Sequence, residues 1–414
     1  MRSLTGKVSR RALFDKGLRT FALAEAGAML GVKGIAANSS IDRAVVSVYL
    51  NGGSDGNNMV VPMGQYGAYA AARPKLAVDE RQLLTSRPAS QIDGLGFHPA
   101  LAELKNLFDM RALSVVANVG HRRIAAMPAV AAGSAPQTAA ADSFLREQDP
   151  ELNFVPPGGR IPAWTSSLAG DAVQWRASVF TGFPKGGSLT GNDITESGMT
   201  MMSNLIHPAQ GAQREEFIKQ LKAELINGMN DVRAAFPRTG LGLELLQVAG
   251  MLRVAHKFNI TRPVFQVTHS GYSHVQTRSV DMDRLFSELS TAMAAFYAAT
   301  AETGMASRVT TYTTSECGRS LAQNQKGGAE PGWGNHYFVM GGSVLGGDVY
   351  GQFPSFVLGG VDDASRNGVW RPTTASDEYS AVFARWMGLR VHEREQMRHQ
   401  VTGQRLSNLN FLTA

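Results

Sequence analysis

An α/β fold, with a mostly parallel central sheet covered by helices on both faces, is what this chain predicts. Three observations lead there. Short runs rich in β-branched residues recur along the sequence, and long segments with apolar residues three and four apart lie between them. The polar residues able to do chemistry gather just after the runs, where an open α/β sheet builds its sites. At 414 residues, 43% hydrophobic and 18% charged, the chain has ample core for one large domain with loop insertions.

The strand-like runs are Arg43 to Leu50, Leu113 to Asn118, Pro263 to Thr268, Val309 to Thr314 and His336 to Met340. The first helical pattern begins at His98-Pro99 and continues to Asp109, with Leu101, Leu104, Leu107 and Phe108 on one face. Pro99 suits the opening turn, where a missing N–H has no partner to lose. Further patterns cover about Glu215 to Phe236 and Leu241 to Lys257. The clearest runs from Asp281 to Thr303, with Leu285, Leu289, Met293 and Phe296 in phase and Gly304 placed to close it. Ser376 to Met387 forms the last, apolar at Tyr379, Val382, Phe383 and Trp386. Residues 125–204, rich in Ala, Gly, Pro, Ser and Thr, have no sustained period and read as a loop-rich insertion. His392 and His399 belong to a charged, solvated stretch.

Residues 1–37 read as an export segment, leaving residues 38–414 as the domain. Ser9-Arg10-Arg11-Ala12-Leu13-Phe14 resembles a twin-arginine signal, followed by a weakly apolar stretch that ends in small residues. The predicted location is therefore periplasmic or otherwise exported. This segment holds seven Lys/Arg against two Asp/Glu, a net of +5 out of the chain's +6, so about +1 remains for the domain. That near-neutral balance argues against nucleic acid as a partner. No stretch reaches the roughly 18 apolar residues of a membrane anchor. Cys317 is the only cysteine, which excludes an internal disulfide, and it reads as a small buried residue.

Four segments carry residues suited to chemistry. In Asn51-Gly-Gly-Ser-Asp-Gly-Asn-Asn58, glycines flanking Asp55 suggest a sharp bend that exposes its carboxylate as a hard-metal ligand, with Ser54 or Asn58 beside it. A tight turn with an Asx-type hydrogen bond is the simpler alternative. His269-Ser270-Gly271-Tyr272-Ser273-His274 offers two histidines for metal ligation or general acid–base work. Ser315-Glu316-Cys317-Gly318-Arg319-Ser320 brings a carboxylate and a guanidinium, which either serve a site or tie down a loop. Gly332-Trp333-Gly334-Asn335-His336 delivers another imidazole. Asp55, His274, Glu316 and His336 are the ligand types a divalent zinc, manganese, magnesium or calcium ion takes. Arg319 suits bidentate contact with phosphate or sulfate. His274, Arg319 and Asn58 are the candidate catalytic groups, with Ser54, Ser273 or a metal-bound water as nucleophile.

These segments, together with Ala72-Arg-Pro74, Phe97-His-Pro-Ala-Leu101 and Gly346-Gly-Asp-Val-Tyr-Gly351, resemble the bacterial domain-of-unknown-function 1501 family. The resemblance implies twin-arginine export, an alkaline-phosphatase-like or sulfatase-like α/β fold, and ancestral two-metal hydrolysis of phosphate or sulfate esters. This chain departs from the family pattern at several places. Gly271-Tyr272-Ser273-His274 lacks the Asp of Gly-aromatic-Asp-Thr-His. Ala329-Glu330-Pro331-Gly332 stands where Thr-Asp-His-Gly is usual, and Phe144-Leu145-Arg146-Glu147-Gln148 lacks the His of Ser-His-Asn-Asp-Gln. A hard cation needs several preorganised donors, so a full two-metal clamp is not expected. Two functions remain: a metal-dependent ester hydrolase with a degenerate site, acting on a small anionic ligand, or a non-catalytic envelope protein that binds a ligand or protein partner.

Overall fold

The computed structural model describes residues 41–91, 93–120, 212–258, 262–273, 279–388 and 409–413. The expected export segment, the 125–204 insertion, His274, His392 and His399 lie outside the described residues. The strands are β1 (Ala44–Asn51), β2 (Val60–Pro62), β3 (Leu84–Ser86), β4 (Leu95–Phe97), β5 (Leu113–Gly120) and β6 (Val264–Ser270), followed by β7 (Val309–Thr314), β8 (Gly318–Gln323), β9 (Ala329–Gly332), β10 (Asn335–Met340), β11 (Val349–Gly351) and β12 (Thr374–Ala375). The helices are α1 (Gly56–Met59), α2 (Tyr66–Ala72), α3 (Ala102–Asp109), α4 (Ala212–Asn230), α5 (Gly240–Val254), α6 (Ser279–Glu302) and α7 (Ser376–Trp386).

The central sheet has the order β11-β5-β10-β7-β1-β6, with β12 beside β5. β1 lies parallel between β6 and β7, Val46 facing Phe265 on one side and Thr311 on the other. β1 is apolar almost throughout because both of its faces are covered. Val46, Val48 and Leu50 pack into the larger core, which includes Leu104 of α3, Leu245 of α5 and Phe286 and Phe296 of α6. Val45 joins the opposite core with Tyr312, Tyr337 and the α7 residues Tyr379, Phe383 and Trp386. Phe383 stacks on Tyr312 at 4.0 Å between ring centroids, and Leu409 and Phe411 return to the same cluster. Helices on both faces of a mostly parallel sheet are therefore present.

Element boundaries differ where local chemistry intervenes. α4 stops at Asn230 rather than continuing to Phe236, since Asn230 and Asp231 favour side-chain bonds to nearby backbone over helix. The pattern from His98 opens as a 3-10 turn over Pro99–Leu101, where the His98 Nδ1 accepts the Ala100 N–H at 3.2 Å. Gly304, at φ +66°, ends α6 as expected.

Periodicity did not reveal strand direction. β10 runs antiparallel to both β5 and β7. Its first residues, Asn335 and His336, therefore sit at the same rim as the carboxyl ends of β1, β5, β6 and β7. The β8–β9 hairpin extends beyond that rim, and β2, β4 and β3 make a small separate sheet.

Candidate functional site

The rim is built around the chain's exit from β1. Gly52 and Gly53 take φ of +117° and +84°, which a side chain would resist. A Cβ on Gly53 would also come within 2.5 Å of the Cys317 sulfur. The backbone turns straight into α1, and Gly56 lies against Asn335 and His336, with its N–H donating to Asn335 Oδ1 at 3.1 Å. Asn335 Nδ2 donates to Ser54 Oγ at 2.9 Å. Asp55 and His336, far apart in sequence, thus meet on one rim, and the charge of Asp55 reaches the imidazoles of His336 and His98.

The bend does not expose Asp55: its exposure is 0%, and Arg73, also at 0%, holds it from α2's C-terminal end. Arg73 Nη1 donates to Asp55 Oδ2 at 2.6 Å and Nη2 to Oδ1 at 3.0 Å. The same guanidinium donates to Asn58 Oδ1 at 2.7 Å, Ser320 O at 2.7 Å and Leu321 O at 2.8 Å. Asn58 also accepts the Tyr69 hydroxyl at 2.9 Å and donates to Leu76 O at 3.0 Å. Every polar atom of the Asn58 amide that the sequence offered to chemistry has a structural partner.

Arg319 and Glu316 clamp the Gly52–Gly53 bend without pairing to each other. Arg319, 2% exposed, donates to the carbonyls of Gly53 at 2.8 Å, Tyr272 at 3.3 Å and Ala329 at 3.4 Å, and to Gly52 O. Glu316, half-buried, accepts the Gly52 N–H at 2.5 Å and the Ser315 hydroxyl at 3.2 Å. Burial, and then the Glu316 charge, raise the pKa of Tyr49, whose hydroxyl also bonds this carboxylate.

His336 is buried and its Nδ1 accepts the Asn118 N–H at 2.9 Å, so the neutral ring carries its proton on Nε2. Burial pushes its pKa down to about 3 against the opposing pull of Asp55. Burial likewise pushes His98 down to about 4, although Asp283 lies 3.4 Å from its Nε2. His269 bridges the Tyr272 hydroxyl at 2.9 Å and Glu288 at 3.2 Å. Of the serine nucleophile candidates, Ser54 is fully buried while Ser273 is exposed. Cys317 is buried and outside any disulfide, as its sequence context suggested.

Asp55 and His336 fit a divalent metal poorly as they are placed here. A guanidinium already neutralises both Asp55 oxygens, and its positive charge opposes a second cation. The His336 Nδ1 lone pair is taken by a backbone N–H, and its Nε2 is protonated. Among the described residues, no group of three or more His, Cys, Asp or Glu is placed to hold one ion. Two important residues escaped the sequence reading. Arg73 and His98 stood in the Ala72-Arg-Pro74 and Phe97-His-Pro99 motifs, but nothing in spacing alone said what they would touch.

The family model described as "Protein of unknown function (DUF1501)" matches residues 253–369. That span contains Glu316, Arg319, Asn335 and His336; Asp55 and Arg73 fall before it. No curated protein matches the chain. Among solved structures, it is similar to the C-terminal periplasmic domain of EptC from Escherichia coli in complex with Zn, at 9% identity over 73% of each chain with a TM-score of 0.31. It is also similar to the PsFucS1 sulfatase from Pseudoalteromonas sp., at 11% identity over 89% of this chain and 72% of that one, TM-score 0.33. A third is the lipoteichoic acid synthase LtaP from Listeria monocytogenes, at 10% identity over 81% and 75%, TM-score 0.31. Likeness at this level carries no site over to this chain, and the fold description rests on its own sheet topology.

Proposed function

We propose that this chain is an exported, DUF1501-type protein that keeps an alkaline-phosphatase-like architecture and uses its rim for non-catalytic binding or scaffolding in the envelope. One observation carries the reading: the buried, bidentate Asp55–Arg73 pair, which turns the leading metal-ligand candidate into a structural anion. The supposed anion contact, Arg319, directs its Nε, Nη1 and Nη2 at backbone carbonyls. Neither guanidinium is left to receive a phosphate or sulfate. The residues around the rim that keep some exposure are half-buried Glu316, Glu330 and Trp333, together with exposed Ser273. Two carboxylates among these residues suit a polar or cationic partner better than an anionic ester.

The test is metal analysis of protein purified from its own compartment, followed by turnover assays on phosphate and sulfate esters. The expected result is substoichiometric zinc, manganese, magnesium and calcium and no ester turnover. Stoichiometric metal with turnover lost in Asp55→Asn would instead establish the hydrolase reading, with His274, Glu316 and His336 as the remaining ligands.

A further inference from the structure

Among the described residues, the exposed large apolar side chains are Leu345, Val357, Leu358 and Val361. Three of them fall within Val357-Leu-Gly-Gly-Val361, at 59%, 42% and 88% exposure. This tip is held, not frayed. The Asp363 carboxylate accepts the N–H groups of Gly359 at 2.9 Å, Ser365 at 2.9 Å, Gly368 at 2.8 Å and Val369 at 3.2 Å. Asp362 accepts the Ser355 N–H at 2.8 Å. Gln65 donates to Pro354 O at 3.0 Å and accepts from Phe356 N at 2.6 Å, and the Phe356 ring stacks on Trp370 at 5.4 Å. Ordering that many groups around an exposed aliphatic knob implies that the knob has something to meet.

The charges around it indicate what. Both nearby carboxylates turn inward onto backbone N–H groups. Arg366 is exposed and makes no ion pair with a described residue, and its Cγ lies 3.8 Å from where a Gly359 Cβ would sit. Its stem therefore passes beside Gly359, which puts an exposed positive charge on the same loop as the aliphatic residues. We propose that loop 355–366 docks on an anionic phospholipid surface. Val357, Leu358 and Val361 enter the boundary between headgroups and acyl chains, and Arg366 pairs with a lipid phosphate. A protein partner would call for an aromatic anchor, which the tip lacks. A second copy packed about a two-fold axis here would oppose one Arg366 to another. The inference does not depend on what the rim binds.

The experiment is co-sedimentation of the full chain with vesicles of phosphatidylglycerol and phosphatidylcholine, and with phosphatidylcholine alone. Comparing variants within the same full chain cancels any contribution from residues 1–37. Leu358→Ser with Val361→Ser should reduce partitioning onto the anionic vesicles at least tenfold. Arg366→Gln should erase the preference for anionic over neutral vesicles while leaving neutral binding unchanged. The substituted side chains are exposed, so melting temperatures should match the wild type. Equal sedimentation of wild type and double variant would overturn the proposal. So would no vesicle binding by the wild type, or a change of oligomeric state in the double variant, which would assign the tip to a second copy.

Discussion

Replacing Arg73 by Met tests whether the centre of the rim is architectural. Both partners of the Asp55–Arg73 pair are fully buried, so the variant strands a carboxylate away from water. Breaking such a pair from one side costs about 3–5 kcal/mol, because the remaining charge loses its counter-ion while staying desolvated. Asn58 Oδ1 and the carbonyls of Ser320 and Leu321 lose a donor as well, each a further loss on the order of 1 kcal/mol and not strictly additive. Against a total stability of roughly 5–15 kcal/mol, this is a large fraction. Urea unfolding measures it as a fall in midpoint at constant slope. Adding Asp55→Leu to Arg73→Met should recover much of the loss, since a neutral side chain no longer needs the cation. A coupling energy above about 2 kcal/mol in that cycle is expected. If Arg73→Met alone costs under about 1 kcal/mol, the pair is not what holds this rim, and Asp55 is free for other chemistry.

Three further outcomes follow from the same geometry. His336 and His98 are held neutral by burial with pKa values near 3 and 4, whereas the unfolded chain protonates them near 6.5. Between those values the unfolded state binds more protons, so stability should fall as pH drops below about 6.5, by on the order of 1.4 kcal/mol per pH unit per group; His336→Asn should flatten that slope in acid titration by circular dichroism. Gly53→Ala forces a side chain into φ +84° and against the Cys317 sulfur, and should cost about 1–3 kcal/mol by urea midpoint. Chelation by EDTA should leave the melting temperature unchanged, and a drop of several degrees would show that an ion contributes to the fold.

Much of the architecture was legible because it rests on period. β7 occupies Val309–Thr314 as its β-branched run indicated, and the stripe Leu285, Leu289, Met293 and Phe296 of α6 is buried as its spacing required. Direction and partnership were not legible. The run His336 to Met340 reads the same whether β10 goes up or down, yet its antiparallel course is what delivers Asn335 and His336 to the rim. Local sequence likewise gave Asp55 glycine neighbours and hence an apparently exposed bend, while the residue that buries it, Arg73, lies 18 positions on. Pair identity of that kind depends on how α2 packs against β8, which no periodicity encodes. The Arg–Glu alternative for the 315–320 segment came closer: both residues do tie down a loop, but each bonds the Gly52–Gly53 backbone rather than the other.

The way these groups are used argues against treating the rim as an eroded catalytic centre with residues merely missing. A site that had lost ligands would leave its surviving polar groups short of partners, at about 1–3 kcal/mol for each buried one. Here the residues of the 51–58, 72–74 and 332–336 motifs satisfy one another, and among the described residues the buried side-chain atoms without a partner at the same strand ends are Asn118 Oδ1 and Thr314 Oγ1, outside those motifs. Asn335 bonds Gly56, Ser54 and Cys317; Asn57 bonds Arg319 O and Trp370; Arg73 bonds Asp55, Asn58 and two carbonyls. Motif residues in this pattern hold the loops of a sheet rim in one conformation whether or not a metal ever binds. Loop architecture accounts for these hydrogen-bonded residues, and resemblance at their positions cannot by itself argue for ester hydrolysis. The direct check is Asn335→Asp, which keeps the Oδ1 acceptor for Gly56 but removes the Nδ2 donor to Ser54. On the architectural account it destabilises the fold by about 1–3 kcal/mol through the new buried charge and the loss of the donor to Cys317 O, which then faces a carboxylate oxygen. A variant as stable as the parent would mean that the network is dispensable, and the motif would then need a functional explanation.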